Sequence, residues 1–228
     1  MHKLDRSTAV APASLSTYDY TIQTWDDLEP DCKRALRAAL VQMQGITGIT
    51  TADANEFGIR CAYCESSIHN AGHIEHFRRK NKKHFPELTF DWHNLFLACG
   101  SSAHCGHYKD RKNAPDYNPN HLIKPDIHNP DHYLYFHSSG EVRPQTGISE
   151  SDKHLAEETI RVFGLDCNEL SGFRRSVLST YKKKILDDLN EICDWTDAER
   201  SDYLLEEIEA TQWEPYATTI KHFLQKQA

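Results

Sequence analysis

The sequence lacks any apolar run of the roughly 18 residues that a membrane-spanning helix requires. Residues 1–20 also lack the order of a signal peptide, in which a charged segment precedes an apolar one. No internal repeat and no low-complexity segment is visible. These absences argue against a membrane protein and predict a cytoplasmic one, whose 228 residues are enough to bury a substantial core.

The chain also lacks an overall positive charge, since its formal net charge is -8 at pH 7. Such an average argues against a nucleic-acid partner, because phosphate binding needs a cationic surface. The distribution reverses that argument: residues 73–112 contain eight Lys and Arg against four Asp and Glu, whereas residues 183–214 contain three against eleven. The middle of the chain therefore suits a polyanion. The acidic block is interpreted as a solvated helical face, with partner docking as the alternative.

Residues on either side of a central segment follow the spacing of amphipathic helices. Trp25 and the apolar residues up to Met43 predict a helix that Gly45 ends and that packs on the C-terminal helices. Further helices are predicted, in chain order, at residues 151–163, 170–192, 196–208 and 214–224. Residues 1–16 carry no periodicity and are interpreted as an arm that orders only against another surface.

The central segment, residues 58–144, breaks this helical pattern. Short apolar runs alternate there with turns rich in Gly, Asn, Pro and His, and residues 133–144 predict a β-hairpin with a structural role. We therefore expect an α+β fold, mainly α, in which a helical scaffold carries an insert. The expected regions are an N-terminal arm and docking helix (1–57), the insert with the chemistry (58–145) and a C-terminal helical region (146–228).

Four of the seven cysteines lie in two pairs. Cys61 and Cys64 form a CxxC, Cys99 and Cys105 enclose five residues, and 34 residues separate the pairs. Two such loops that converge on one ion give a tetrahedral four-thiolate site, which suits zinc. The zinc would be structural, because four thiolates leave no position open for water.

Two alternatives to a four-cysteine zinc site remain open. The four cysteines could be unliganded core residues, or His104 could replace one of them as a ligand. The other three cysteines lie on or beside predicted helices and are interpreted as small buried hydrophobes: Cys32, Cys167 and Cys193.

Histidine-rich motifs accompany the cysteines. GHIEHFRRK and DWHNLFLAC lie between the two pairs, and the second pair runs into GHYKD. The order CAYCE, HIEHF, WHNLFLAC and CGHYKD resembles the HNH endonucleases and, among them, the PtuB-type nucleases of Septu and related retron defence systems. The flanking segments MHKLDRS and EETIRVFGL are also similar to that family. The resemblance implies that the insert is a zinc-stapled ββα-metal (HNH) motif between Cys61 and Lys112.

Phosphodiester hydrolysis needs a general base that deprotonates water and a cation that neutralises the charge developing on the phosphate. A histidine with a pKa near neutral suits the first task. The resemblance implies that His76 is the base, that Glu75 helps to hold the catalytic metal, and that Asn94 orients the base through a hydrogen bond. In a regular strand Glu75 and His76 would point to opposite faces, so they would serve different roles.

The third position of the motif departs from the family. Many HNH motifs have Asn or His directly after the last cysteine, where this sequence has Gly106. His107 is therefore the first candidate for the third catalytic residue and metal ligand, with Asp110 as the alternative. His73, which would share a strand face with Glu75, is a further candidate ligand.

Five basic residues closely follow the candidate base: Arg78, Arg79, Lys80, Lys82 and Lys83. They would steer a phosphate backbone, and Lys109 would contact the scissile phosphate. The alternative is a flexible, solvated loop. The remaining histidines of this region are interpreted as solvated or satisfied side chains: His69, His121, His128, His132 and His137.

Together these residues predict a metal-dependent phosphodiesterase that uses Mg2+ or Mn2+ and cuts nucleic acid, with DNA favoured over RNA. The resemblance implies an anti-phage defence effector that a PtuA-type ABC ATPase controls, with a retron reverse transcriptase and its msDNA as further partners. Two alternatives remain open. One is an HNH effector that cleaves RNA such as tRNA, and the other is a zinc-ribbon adaptor that binds nucleic acid without cutting it. The adaptor predicts that His76→Ala changes no activity.

Overall fold

The computed structural model describes residues 1–45, 59–68, 72–191 and 194–226, apart from the side chains of residues 184–186 and 188–191. Helices dominate, and two small sheets accompany them. In this part of the chain no helix has the length and apolar character needed to cross a membrane. The expected region boundary after residue 57, together with His69 and Cys193, lies outside the described residues.

The α-helices of the described residues, in chain order, are α1 Pro30–Gln44, α2 Cys105–Lys109, α3 Pro130–Tyr133, α4 Glu150–Phe163, α5 Asn168–Glu191, α6 Asp197–Thr211 and α7 Ala217–Leu224. The strands are β1 His73–His76, β2 Leu95–Ala98, β3 Leu134–Phe136 and β4 Val142–Pro144. Short 3-10 turns occupy Arg6–Thr8, Ala13–Thr17, Trp25–Asp27, Pro86–Leu88, Trp92–Asn94 and Pro119–His121. The architecture is therefore a mixed α and β structure, as the sequence predicts in its coarse outline.

The first sheet carries the candidate site. β1 and β2 pair antiparallel, with Glu75 opposite Phe96 and His76 opposite Leu95. β2 is buried at every residue, which explains why its sequence LFLA is an uninterrupted apolar run. The loop after β2 carries Cys99 and leads into α2, which begins at Cys105. The order of elements around the site is thus strand, strand and helix.

Helix α1 has a different packing partner from the one expected. It packs mainly against β2 and against the 3-10 turns of the N-terminal arm, not against the C-terminal helices. At its end the buried Gln44 side chain accepts a hydrogen bond from Leu97 N at 2.6 Å and donates to Leu97 O at 3.0 Å. An amide side chain thus forms the same two bonds with β2 that a neighbouring strand would form.

The N-terminal arm orders against the chain's own insert. Arg6 donates from Nη1 to Trp92 O at 2.8 Å and from Nη2 to Leu95 O at 2.9 Å, and it pairs with the carboxylate of Asp126. Leu4 and Leu15 are buried in the core. The surface that the sequence requires for ordering this arm is therefore the insert itself.

Local signals place the C-terminal helices close to their predicted bounds. Ser149 caps α4 by accepting from Asp152 N, and Gly164 ends it in the left-handed conformation. Thr196 and Glu199 form the expected capping box at the start of α6. β3 and β4 form the expected hairpin. The last helix begins at Ala217 instead of residue 214.

One apolar core takes side chains from all three sequence regions, among them Leu36, Phe96 and Phe163. A smaller cluster joins α5, α6 and α7 through Leu178, Leu204, Ile220 and Leu224. The sequence regions are thus packed around shared apolar residues.

Candidate functional site

The four cysteines converge on one point. Their sulfur atoms all lie within 4.8 Å of one another, and all four residues are buried. Cys61 Sγ lies 3.7 Å from Cys105 Sγ, and Cys64 Sγ lies 3.9 Å from Cys99 Sγ. A tetrahedral zinc with bonds of about 2.3 Å requires sulfur separations of about 3.8 Å. The cluster can therefore bind a metal such as zinc, and these two sulfur separations match the geometry of that ion.

His104 stands beside this cluster without replacing a cysteine. Its Nδ1 lies 3.2 Å from Cys105 Sγ and 3.6 Å from Cys99 Sγ, which are distances of hydrogen bonds to sulfur. Metal-bound thiolates are commonly supported by such donors. The alternative ligand set with His104 is thus disfavoured, since four sulfur atoms already surround the centre.

The other cysteines have separate environments. Cys32 is buried in the core, as expected, and Ser14 donates a hydrogen bond to its sulfur at 3.2 Å. Cys167 is only partly buried, although a buried position was expected. Neither residue belongs to the cysteine cluster.

His76 is held rigidly at the end of β1. Its Nε2 lies 2.9 Å from Thr89 O, and because a carbonyl only accepts, Nε2 carries the proton and Nδ1 carries the lone pair in the neutral ring. The Trp25 ring packs against the imidazole in a T-shaped arrangement, with centroids 4.5 Å apart and planes at 83°. Burial, assisted by the charge of Lys80, lowers the pKa of His76 to about 4. The imidazole is therefore neutral at pH 7.

Asn94 acts through the backbone and makes no hydrogen bond to His76, which corrects the expected direct contact. Its Oδ1 accepts from Arg78 N at 2.7 Å, and its Nδ2 donates to Arg78 O at 3.0 Å and Leu88 O at 3.1 Å. These bonds close the loop between β1 and β2 just before Thr89, whose carbonyl holds His76. Asn94 therefore orients the histidine through the loop.

Glu75 points to the other face of β1 and is buried. Its Oε1 lies 2.9 Å from Lys109 Nζ, and its Oε2 lies 3.1 Å from His73 Nε2. Burial alone would raise the pKa of Glu75, but Lys109 and His73 lower it to about 2. The carboxylate is thus ionised and paired with a cation of the same chain.

Lys109 lies inside the protein, away from the position expected for a phosphate contact. Its side chain is fully buried, and Nζ lies 2.9 Å from oxygens of Glu75, Asp110 and the His76 backbone. Burial lowers the pKa of Lys109, but the neighbouring carboxylates more than reverse that effect and raise it. The ammonium group therefore bridges the carboxylates of Glu75 and Asp110.

His107 is exposed and stacks on His73, with ring centroids 4.1 Å apart. His73 in turn bonds Glu75, and its own Nδ1 is buried without a hydrogen-bond partner. Among the described residues, only the cysteines form a group of three or more potential ligands within 4.8 Å. Glu75, His107 and Asp110 therefore do not converge as a ready-made metal site in this arrangement.

A cleft of about 290 Å³ opens in front of His76. Asp110, Arg79, Lys80 and Arg111 line it. Arg79 donates to Asp110 Oδ1 at 3.1 Å, which fixes it at the cleft wall. The cleft therefore combines a neutral histidine, one carboxylate and three cations.

Of the basic residues expected to bind nucleic acid, Arg79 and Lys80 line this cleft, whereas Arg78 binds the side chain of Asn120 at 2.7 Å. Arg111 and Thr89 were not anticipated as site residues. Arg111 could have been found as one of the basic residues in the same stretch of sequence. No sequence signal could identify Thr89, because its backbone carbonyl makes the contact.

Comparison with known proteins does not identify a family for this chain. No protein-family model matches the chain. No curated protein matches it either.

Proposed function

We propose that this chain is a metal-dependent HNH-type endonuclease in which His76 is the general base. The observation that carries the proposal is the setting of His76: its Nε2 is bonded to the Thr89 carbonyl, and the residue lines a cleft with Asp110 and three cations. A histidine with a fixed tautomer beside a carboxylate and several cations is the arrangement expected of a general-base site.

The chemistry of the base follows from this setting. The neutral ring can accept a proton at Nδ1 from a water molecule that attacks phosphorus, while the Thr89 carbonyl stabilises the ring's orientation and the charge that develops on it. Burial lowers the pKa of His76, so the ring is neutral at pH 7 and its Nδ1 lone pair can accept a proton. The T-shaped contact with Trp25 limits the rotation of the imidazole.

The cations of the cleft suit a phosphodiester substrate. Arg79, Lys80 and Arg111 surround the space next to His76, and guanidinium groups can form two parallel hydrogen bonds with phosphate oxygens. Such groups neutralise charge on the phosphate and recognise no particular base. The proposed enzyme therefore cuts with little sequence readout, with DNA as the favoured substrate and RNA as the alternative.

Two metal ions belong to the proposal. Zn2+ held by Cys61, Cys64, Cys99 and Cys105 would staple the strands to α2 and has a purely structural role. The catalytic Mg2+ or Mn2+ would be held by Glu75 and Asp110, with His107 as a further ligand, and would neutralise charge on the phosphate and the leaving oxygen. In the structure the Lys109 ammonium group occupies the space between these two carboxylates, so the divalent ion would take its place there.

Cleavage of labelled DNA and RNA at fixed Mg2+ or Mn2+ tests this proposal. We compare wild type with His76→Ala and His76→Asn, because an asparagine can still donate to the Thr89 carbonyl but cannot accept the proton. Loss of a positioned base lowers the rate by about 10²- to 10⁴-fold. His132→Ala is the matched control, since His132 is exposed and pairs with Asp152 outside the cleft.

Metal-dependent cleavage that both His76 variants lose and His132→Ala keeps supports the nuclease and identifies its substrate. Cleavage at the wild-type rate in both His76 variants would overturn the assignment. Nucleic acid that wild type binds but never cuts would identify the zinc-ribbon adaptor instead. The assay is run with and without a PtuA-type ABC ATPase, because control by this partner and a role in anti-phage defence are parts of the proposal that rest on the family resemblance.

A further inference from the structure

Trp25 is fixed at the surface directly behind His76. It belongs to a 3-10 turn whose capping box joins Asp27 Oδ2 to Thr24 N at 2.7 Å and to Thr24 Oγ1 at 2.9 Å. His76 packs against the indole at a steep angle, with ring planes at 83°, and Phe90 stacks on it with centroids 6.2 Å apart. The indole remains half-buried. It is thus a rigid aromatic surface next to the candidate base.

Trp25 separates two open hollows. One, of about 440 Å³, is lined by Lys33, Arg34 and Arg37 of α1. The other, of about 350 Å³, is lined by Lys80 and Lys82 of the loop after β1. The indole therefore lies between two basic surfaces, one from the scaffold helix and one from the insert.

The balance of charge at this surface is positive. Five cations line the two hollows, whereas Asp26 lines the second hollow and Asp31 pairs with Arg34. The Asp31–Arg34 pair is strongly exposed, and such pairs hold their partners weakly. Lys80 Nζ also lies 5.9 Å from the centre of the indole ring. A polyanion can therefore compete for these cations.

We propose that Trp25 is a stacking platform for an unpaired nucleobase and that the cations of α1 and the β1 loop bind the phosphates on either side of it. Bases inside a duplex are stacked on each other and cannot reach an indole, so the site selects single-stranded nucleic acid. The inference rests on the proposed function and deepens it by naming the substrate class. It gives α1 a role in substrate binding as well as in the scaffold.

Equilibrium binding of the full chain to labelled oligonucleotides tests this inference. Single-stranded DNA and RNA of one sequence are each compared with their duplexes, in buffer that contains no Mg2+ or Mn2+. We expect each single strand to bind at least tenfold more tightly than its duplex. Trp25→Leu should weaken single-strand binding by about 5- to 150-fold, and Trp25→Phe should retain most of the affinity because a phenyl ring can still stack.

The phosphate contacts are tested separately by salt dependence. Each phosphate contact with a single strand contributes about 0.7 to the slope of log affinity against log salt, so Lys33→Gln with Arg34→Gln should reduce the slope by about 1.4. Lys153→Gln with Arg200→Gln is the matched control, since both residues lie on other helices, outside the two hollows.

Equal affinity for single strands and duplexes, or unchanged single-strand binding in Trp25→Leu with a wild-type melting temperature, would overturn the inference. If Trp25→Leu fails to fold, the α1 double variant and the comparison of strands still decide it. The proposed function fails independently, because it is measured as cleavage that survives His76→Asn, whereas this inference is measured as binding without turnover.

Discussion

At the scale of the residue, the surroundings of Gly106 explain why the sequence differs at this position from the HNH motif that it resembles. A Cβ at this position would lie 2.3 Å from Glu75 Oε2 and 2.4 Å from its Cδ. The position directly after the last cysteine is thus occupied by the buried carboxylate of β1, and only glycine leaves enough space. This close approach also explains why the neighbouring His107, and not residue 106, carries the side chain that stacks on His73.

Gly106→Ala should destabilise the protein by about 1–3 kcal/mol, because the added methyl group forces Glu75 or α2 to move within a packed region. Urea unfolding measures the change. Gly172→Ala is the control: a Cβ there meets nothing within 4 Å, and alanine is the better helix former. Equal stability of the two variants would show that the contact with Glu75 is easily relieved.

Lys109 gives a second prediction at this scale. Lys109→Met removes the bridge between Glu75 and Asp110, and breaking a buried ion pair costs about 3–5 kcal/mol. Mg2+ or Mn2+ should restore part of the lost melting temperature, because the two carboxylates then bind a divalent ion in place of the ammonium group. The double variant Lys109→Met with Glu75→Gln should lose this restoration, and its persistence would rule out Glu75 as a ligand.

At the scale of the residue, the sequence predicted correctly those features that depend only on residue type and on spacing along the chain. The cysteine spacing predicted a cluster that can bind a metal, and the structure has it. The contacts of Asn94 and Lys109 were not predictable, because they depend on how a loop and a helix pass each other in space. The assignments of base and catalytic metal stay predictions.

At the scale of the element, helix ends were predictable and helix partners were not. Caps are local: Thr196 and Glu199 each bind a backbone group of the other, so the sequence alone indicates this cap. Ser149, two residues before the predicted start of α4 at residue 151, caps that helix in the same local way. The partner of α1 is nonlocal, since Gln44 bonds Leu97, 53 residues away. A glutamine at the end of an apolar stripe gives no signal that it pairs with a strand.

Gln44→Leu should destabilise the protein by about 1–3 kcal/mol, because the backbone amide of Leu97 loses its buried acceptor. Urea unfolding again provides the measurement, and the far-ultraviolet circular dichroism should stay unchanged. Gln42→Leu is the matched control, since Gln42 lies on the same helix and is exposed. Leu and Gln have similar helix propensities, so a similar loss in both variants would show that the bond to β2 does not carry the effect.

At the scale of the whole molecule, ion pairs and hydrogen bonds join distant segments around the core. Asp131 at the start of α3 pairs with Lys221 and His222 of α7, and His222 in turn accepts from Phe136 N at 3.0 Å. Burial raises the pKa of Asp131, but the hydrogen bonds from His222 and Lys221 lower it to about 2. The C-terminal helix is thus attached to the insert by an ionised carboxylate.

The interaction of Asp131 with Lys221 and His222 predicts that the free energy of unfolding depends on pH. Because the pKa of Asp131 is lower in the folded protein than the usual value near 4, the stabilisation is fully present above about pH 4 and is lost as the pH falls towards 2. The contribution is at most about 2 kcal/mol. Asp131→Asn should remove it, so the difference in unfolding free energy between wild type and variant should shrink between pH 5 and pH 2. A constant difference would contradict the assignment.

The buried Glu65 makes the environment of the first cysteine pair depend on a segment that is synthesised much later. It follows Cys64 directly, and its carboxylate accepts from Thr218 Oγ1 at 2.6 Å, from a residue 153 positions later in the chain. At about 5–20 residues per second, a ribosome needs roughly 8–30 s to advance from one to the other. During that time the cysteine loop has no α7 to cover its buried carboxylate. A nascent chain therefore cannot complete the surroundings of its first cysteine pair until α7 has been synthesised, which delays maturation of the proposed nuclease by at least that interval.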